Sequence, residues 1–146
     1  MAATHSTDDA TVTVAAAMKV LGEPRRLRLL RVLLQANDTL CGCELSDILR
    51  VPDYQISRDL SQLRKSGLVR DRGRSGTWVH YEAADDQDSH LAPLLDLLRQ
   101  SKPDESDAQR LALRLALRDQ VGCVLGPRHP AVVEAFRIAG LESHET

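Results

Sequence analysis

Two thiols stand two residues apart in the run Cys41-Gly42-Cys43-Glu44-Leu45, and they are the side chains best suited to do chemistry. Thiolates are soft ligands that take thiophilic ions in preference to magnesium or calcium. Two sulfurs do not complete a tetrahedral zinc site, which wants four ligands, but they nearly complete a three-coordinate thiolate one. A position at the start of a short helix lowers a thiol pKa and puts more thiolate present at neutral pH. The same pair also reads as two small hydrophobes at a helix start, and spacing alone does not choose. Enzyme signatures are absent: the chain has no GxGxxG, GxxxxGK[ST], HExxH or GxSxG run and no paired-carboxylate spacing. His80 falls in a strand-like run, where a packed structural role is expected.

Elements that would position these thiols follow from the apolar spacing. Thr11 to Leu21 reads as a helix after a loose polar start at residues 1–10. Pro24 suits the first position of a second helix, to Gln35, with Leu27, Leu30 and Leu34 on one stripe. Arg25 and Arg26 open its first turn, and Arg28 and Arg31 lie off the stripe. A short helix from Cys43 to Arg50 precedes the break Val51-Pro52-Asp53. Asp53 is the expected N-cap of a helix to Ser66, closed by Gly67. Helix, three-residue turn, helix is the spacing of a helix-turn-helix. In the second of these helices Ile56, Leu60 and Leu63 fall within about 60° of one another. Tyr54, Arg58, Ser61 and Lys65 cluster on the opposite side.

Two strand-like runs follow, Leu68 to Arg72 and Thr77 to Glu82, around Gly73-Arg74-Ser75-Gly76. They predict a hairpin, with Arg70 and Arg72 on one face and Arg74 at the tip, where arginine can meet phosphate or the minor groove. A hairpin placed directly after a recognition-type helix is the wing of a winged helix-turn-helix. Beyond it lie an apolar helix from His90 to Gln100 and the run AQRLALRLALRDQ. That run carries Arg110, Arg114 and Arg118 on one i, i+4 line, expected as the wet face of a leucine cylinder. A last helix runs from Pro130 to before Gly140.

Composition agrees with a mainly α fold: 23 leucines against four aromatic residues in 146 favour helices over a large sheet. The formal net charge of −2 hides a basic middle. Residues 21–80 hold 11 Lys+Arg against 7 Asp+Glu, as expected of a polyanion surface. No apolar run approaches the roughly 20 residues needed to cross a bilayer. Three cysteines without a secretion signal argue for reduced thiols and a cytoplasmic protein.

The stretch LGEPRRLRLLRVLL … CGCELSDILRVPDYQISRDLSQLRKSGLVRDRGRSGTWVHYE, roughly residues 17–82, resembles the ArsR/SmtB family of metalloregulatory repressors. The pieces that carry the resemblance are the LGEPRRLRLL opening, the CxC before the helix-turn-helix, ISRxLxxLRxSGLV, and GxWVHY in the wing. The resemblance implies a winged-helix homodimer that binds double-stranded operator DNA and lets go when a metal or metalloid binds. CGCEL looks most like the arsenite and cadmium/lead branches. Two positions depart from the pattern: Ser46 stands where the arsenite type often has a third cysteine, and Asp59 where the family has histidine. Asp88 and His90 resemble half of the family's dimer-helix zinc site, but Ser101 and Asp104 occupy the partner positions, so no zinc site is expected there.

The expectation is therefore a dimeric repressor responsive to trivalent arsenic, arsenite or an organoarsenical. Its thiol ligands would be Cys41 and Cys43, with Cys123 either a third ligand, from its own or the partner protomer, or a buried free cysteine. Tyr54, Gln55, Ser57, Arg58, Ser61 and Lys65 would face the major groove, and Arg70, Arg72 and Arg74 the backbone or minor groove. Residues 11–100 would form the winged helix-turn-helix DNA-binding and dimerisation unit, and residues 101–146 a C-terminal helical extension. Cadmium, lead or thiol oxidation could be the signal instead, or the leucine-rich C-terminal half could make the chain a helical interaction protein.

Overall fold

The structure, a computed structural model, describes residues 2–75, 78–84, 89–121, 126 and 128–142. Among the described residues seven helices and three short strands follow in the order α1 (Ala2–Leu21), α2 (Pro24–Ala36), β1 (Leu40–Cys41), α3 (Gly42–Leu49), α4 (Asp53–Lys65), β2 (Val69–Ser75), β3 (Trp78–Ala83), α5 (Ala92–Gln100), α6 (Glu105–Val121) and α7 (Pro130–Ile138). The expected mainly α, winged helix-turn-helix architecture is present.

Several boundaries differ from the sequence expectation, each for a local reason. Helix α1 starts at Ala2 rather than Thr11, because nothing before Gly22 breaks it and its early alanines favour helix. Asp53 is the first helical residue of α4, and Pro52 is its N-cap. The Asp53 carboxylate thus meets the positive end of the helix without capping it. The sheet has three strands, in the order β1-β3-β2, where a two-stranded hairpin was expected. Strand β1 is two residues long, too short to show alternation.

Helix α2 is the central element. Leu29, Leu30, Val32, Leu33 and Leu34 are buried, so its apolar stripe is wider than expected, and Leu27 is only half-buried. Around α2 one core gathers Leu45, Ile48 and Leu49 of α3, Ile56, Leu60 and Leu63 of α4, Leu95 of α5 and Leu111 of α6. Asn37, in the left-handed region at φ 49°, ends α2 and turns the chain into β1. Gly67, at φ 82°, turns α4 into β2, a conformation glycine adopts at no steric cost. A smaller cluster of Val132, Phe136 and Leu141 joins α7 to Leu113 and Leu117 of α6.

Candidate functional site

Cys41 has two structural roles. Its backbone pairs with His80 of β3, and it is the N-cap of α3. The Cys41 sulfur accepts from the Glu44 backbone N–H, while Glu44 Oε1 accepts from the Cys41 N–H at 3.0 Å. This is a capping box with a thiol in place of the usual hydroxyl. Cys43 follows two residues on, in the first turn, and both thiols are buried, 3% and 4% exposed.

The two thiols are hydrogen-bonded to each other, and that bond separates their acidities. It pushes Cys41 well above the ordinary thiol range, helped by burial and the Glu44 carboxylate. It pulls Cys43 down, and the Arg114 guanidinium adds to the effect against the opposing cost of burial. The two thiols at this helix start therefore differ in acidity, Cys43 lowered and Cys41 raised. Ser46 is held elsewhere: its hydroxyl donates to the Val51 carbonyl at 2.6 Å. Cys123 and Asp88 lie outside the described residues. Among the described residues no group of three or more His, Cys, Asp or Glu is placed to hold a metal ion.

The opposite side of α3 overturns the expected wet face of α6. Arg110 and Arg114 are fully buried, and the arginine line faces α3 instead of solvent. Arg118 clasps Glu44 with Nε at 2.6 Å from Oε2 and Nη2 at 2.5 Å from Oε1. It also donates to the Thr39 carbonyl at 2.8 Å. Arg114 Nε donates to Asp47 at 3.2 Å. Arg110 donates to the Ile48 carbonyl at 2.5 Å and to Asp107 at 3.0 Å. Asp107 in turn holds Arg28 of α2 at 3.0 and 2.9 Å, and Arg28 reaches the Leu49 carbonyl at 2.9 Å.

The reason is chemical complementarity. Glu44 and Asp47 sit at i, i+3 on α3, and the last carbonyls of a helix lack intrahelical donors and carry its negative end. Guanidinium groups at i, i+4 on α6 satisfy both. Burial still dominates at Asp47, whose pKa is raised despite Arg114 and the Arg128 N–H. The signal available in the sequence was this match of acids at 44 and 47 with arginines at 114 and 118, which no helical periodicity expresses.

On α4 the expected division holds. Ile56, Leu60 and Leu63 are buried, while Tyr54, Ser57, Arg58 and Lys65 are exposed and Gln55 and Ser61 half-exposed. Asp59, 1% exposed, is a tether. It accepts from Arg25 at 2.5 and 3.1 Å and from Gln55 at 3.3 Å, fixing α4 to the start of α2. Arg64, passed over in the sequence, is exposed and lies 3.8 Å from Asp71 of the wing.

The structure does not bring the three wing arginines together. Arg70 pairs in register with Glu82, and Arg70 and Arg72 lie 3.7 and 3.2 Å from its carboxylate. A register shift between Asp71 and Arg74, at Gly73 with φ 104°, moves Arg74 opposite Val79, onto the face that looks towards α4. The basic middle of the sequence is divided in use as well. Arg25, Arg26, Arg28, Arg31 and Arg50 bond inside the fold, leaving Arg58, Arg64, Lys65, Arg70, Arg72 and Arg74 exposed.

Comparison with known proteins decides what this scaffold is. Residues 23–71 match the family model of bacterial regulatory proteins of the arsR family. An HTH-type transcriptional regulator of Methanocaldococcus jannaschii is 38% identical over 55% of this chain and 88% of its own. An arsenic resistance transcriptional regulator of Pseudomonas putida, ArsR2, is 31% identical over 77% of this chain and 99% of its own. The chain belongs to the ArsR family. Among solved structures, reduced HlyU from Vibrio cholerae superposes with a TM-score of 0.53 at 25% identity, over 65% of this chain and 94% of that one.

As an ArsR-family member the chain is a repressor-like transcriptional regulator with a DNA-binding winged helix, not an enzyme. No described helix is long and apolar enough to cross a membrane. The family match ends at residue 71, so the α6 arginines that clasp α3 lie outside it.

Proposed function

We propose that this ArsR-family regulator is a homodimeric repressor that leaves operator DNA when trivalent arsenic binds Cys41 and Cys43. The observation that carries the reading is the placement of two buried, hydrogen-bonded thiols where β1 meets α3. Cys41 is paired to the wing strand β3, and α3 packs on α4. Arsenous acid condenses with both thiols, forming two As–S bonds and releasing two waters, with no net change in redox state. Ligation withdraws the Cys41 sulfur from the Glu44 N–H and breaks the thiol–thiol hydrogen bond. The start of α3 then moves against both the wing and the recognition helix. A coupling of about 1–3 kcal/mol is enough to release DNA, and it must act in both directions.

Tyr54, Gln55, Ser57, Arg58, Ser61 and Lys65 contact the major groove, and Arg70, Arg72 and Arg74 the backbone or minor groove. Gln55 must exchange its bond to Asp59 for a base. Cys123 is either a third sulfur that displaces the last hydroxyl of bound arsenite or a free cysteine outside the site, and the Cys123→Ser variant below separates the two. Residues 11–100 form the DNA-binding and dimerisation unit and residues 101–146 the helical extension. Exposed Val12 and Met18 on α1 and Leu97 on α5 supply the apolar dimer surface. Several relatives bear arsenic in their names, among them the arsenical resistance operon repressor of Escherichia coli, 36% identical over 53% of this chain and 65% of its own.

A second reading, thiol oxidation as the signal, is supported by one observation: Cys41 and Cys43 are hydrogen-bonded to each other, so an oxidant that reaches one sulfur finds the other beside it. Fluorescence anisotropy of a promoter fragment under reducing conditions separates the two. Arsenite, phenylarsenite, Cd²⁺, Pb²⁺ and, without reductant, peroxide are titrated against wild type, Cys41→Ser, Cys43→Ser and Cys123→Ser. Release by arsenicals that is lost in the first two variants is expected, and the third decides between three thiols and two. DNA binding that no thiophile reverses overturns the arsenic reading.

A further inference from the structure

A cavity of about 230 Å³ opens between α4 and β3, and Cys43 contributes to its wall. The rest of its interior is apolar and aromatic: Ile56 and Leu60 from α4, and Trp78, Val79 and Tyr81 from β3. Its more polar members, Asp53 and Ser57, occupy exposed positions at the start of α4. Gly42 also lines it, and an added Cβ there would meet nothing within 4 Å, so the backbone between the two thiols leaves open space beside Cys43. An apolar cavity of about 150 Å³ holds a benzene ring. This one has room for an aryl or short alkyl group.

Trivalent arsenic has three valences, of which Cys41 and Cys43 take two. The third carries hydroxyl in arsenite and carbon in a mono-organoarsenical. Hydroxyl in an apolar cavity needs a hydrogen-bond partner, whereas an organic group gains from burial. We infer that the cavity between α4 and β3 receives the organic substituent of a mono-organoarsenical whose arsenic is held by Cys41 and Cys43. The inference rests on the thiol reading above and names its ligand class. R–As(OH)₂ condenses with the two thiols to give R–As(S)₂ and two waters, and R enters beside Cys43. Because the recognition helix and the wing strand are opposite walls of one cavity, the substituent bears on both DNA-reading elements at once.

Trp78 is the only tryptophan in the chain, so its emission reads occupancy without DNA. The full chain, reduced, is titrated with arsenite, methylarsenite and phenylarsenite while tryptophan emission and DNA release are followed in parallel. Wild type is compared with Val79→Phe, which fills the cavity, and Val79→Ala, which enlarges it. The arsenite response of each variant serves as its folding control.

Phenylarsenite is expected to change Trp78 emission and to release DNA at a concentration lower than arsenite by at least about tenfold. Val79→Phe is expected to remove that advantage while leaving the arsenite response in place, and Val79→Ala to preserve it. Equal potency of the arsenicals on wild type overturns the inference, as does a Val79→Phe variant that keeps the phenyl advantage. Either result leaves the thiol reading standing if arsenite still releases DNA through Cys41 and Cys43. Failure of every arsenical removes both.

Discussion

The arginines of α6 and the cations of α4 and the wing are alike in the sequence and opposite in the fold. Arg110 and Arg114 are buried against α3, bonded to Asp107, Asp47 and the carbonyls of Ile48 and Leu141. Arg58 and Lys65 stand in solvent on the exposed face of α4. The first set holds the helix that carries Cys43; the second is available to a polyanion. A guanidinium becomes structural when carboxylates and orphan carbonyls meet it in a dry interface, and it stays a surface charge when they do not. The charge count alone cannot make that distinction.

The largest effect is expected from Arg114→Met, which leaves Asp47 as a buried charge without its guanidinium. Removing one partner of such a pair costs about 3–5 kcal/mol, seen as a lower urea midpoint. Affinity for DNA should fall little at temperatures where the variant remains folded. Asp59→Ala comes next. It strands Arg25 and frees α4 from α2, and the loss of charge-assisted hydrogen bonds to a buried carboxylate should lower stability by about 1–3 kcal/mol. DNA affinity should fall with it, because α4 loses a tether.

Arg58→Ala inverts that pattern. Stability should stay within about 0.5 kcal/mol of wild type, while the slope of log affinity against log salt falls by about 0.9, one phosphate contact. An unchanged slope together with a loss of stability would place Arg58 with the structural arginines. The smallest effect concerns pH. Burial holds the Asp47 carboxyl above its usual range, so the folded chain takes up this proton at a higher pH than the unfolded chain. Its contribution to stability therefore rises as pH falls from neutral through the upper carboxylate range. Asp47→Asn, which carries no proton to exchange, should lack that segment of the profile in urea titrations.

The helix-turn-helix was legible because it is local. Ile56, Leu60 and Leu63 repeat at helical spacing within one element, and Gly67 marks where that element ends. The winged fold followed from the hairpin after it. The sequence did not reveal the third strand, since two residues give no alternation, nor the inward turn of the α6 arginines, whose partners are 67 and 74 residues away. At the site, the thiol pair was visible as a motif, but the division of acidity between Cys41 and Cys43 was not. That division comes from one hydrogen bond between them and from Arg114 on a distant helix. The shift of Arg74 to the other face of the wing depended on a bulge that only the register reveals.

The most direct test of the link between thiols and DNA is a closed thermodynamic cycle. The affinity of the reduced chain for phenylarsenite is measured free and saturated with operator DNA, and its affinity for DNA is measured with and without phenylarsenite. Reciprocal coupling predicts that each ligand weakens the other by the same factor, about 5–150-fold, and that Cys41→Ser and Cys43→Ser bring the factor to one. Phenylarsenite that binds the DNA complex as tightly as the free chain would contradict the account: the thiols would then be a binding site without a connection to DNA.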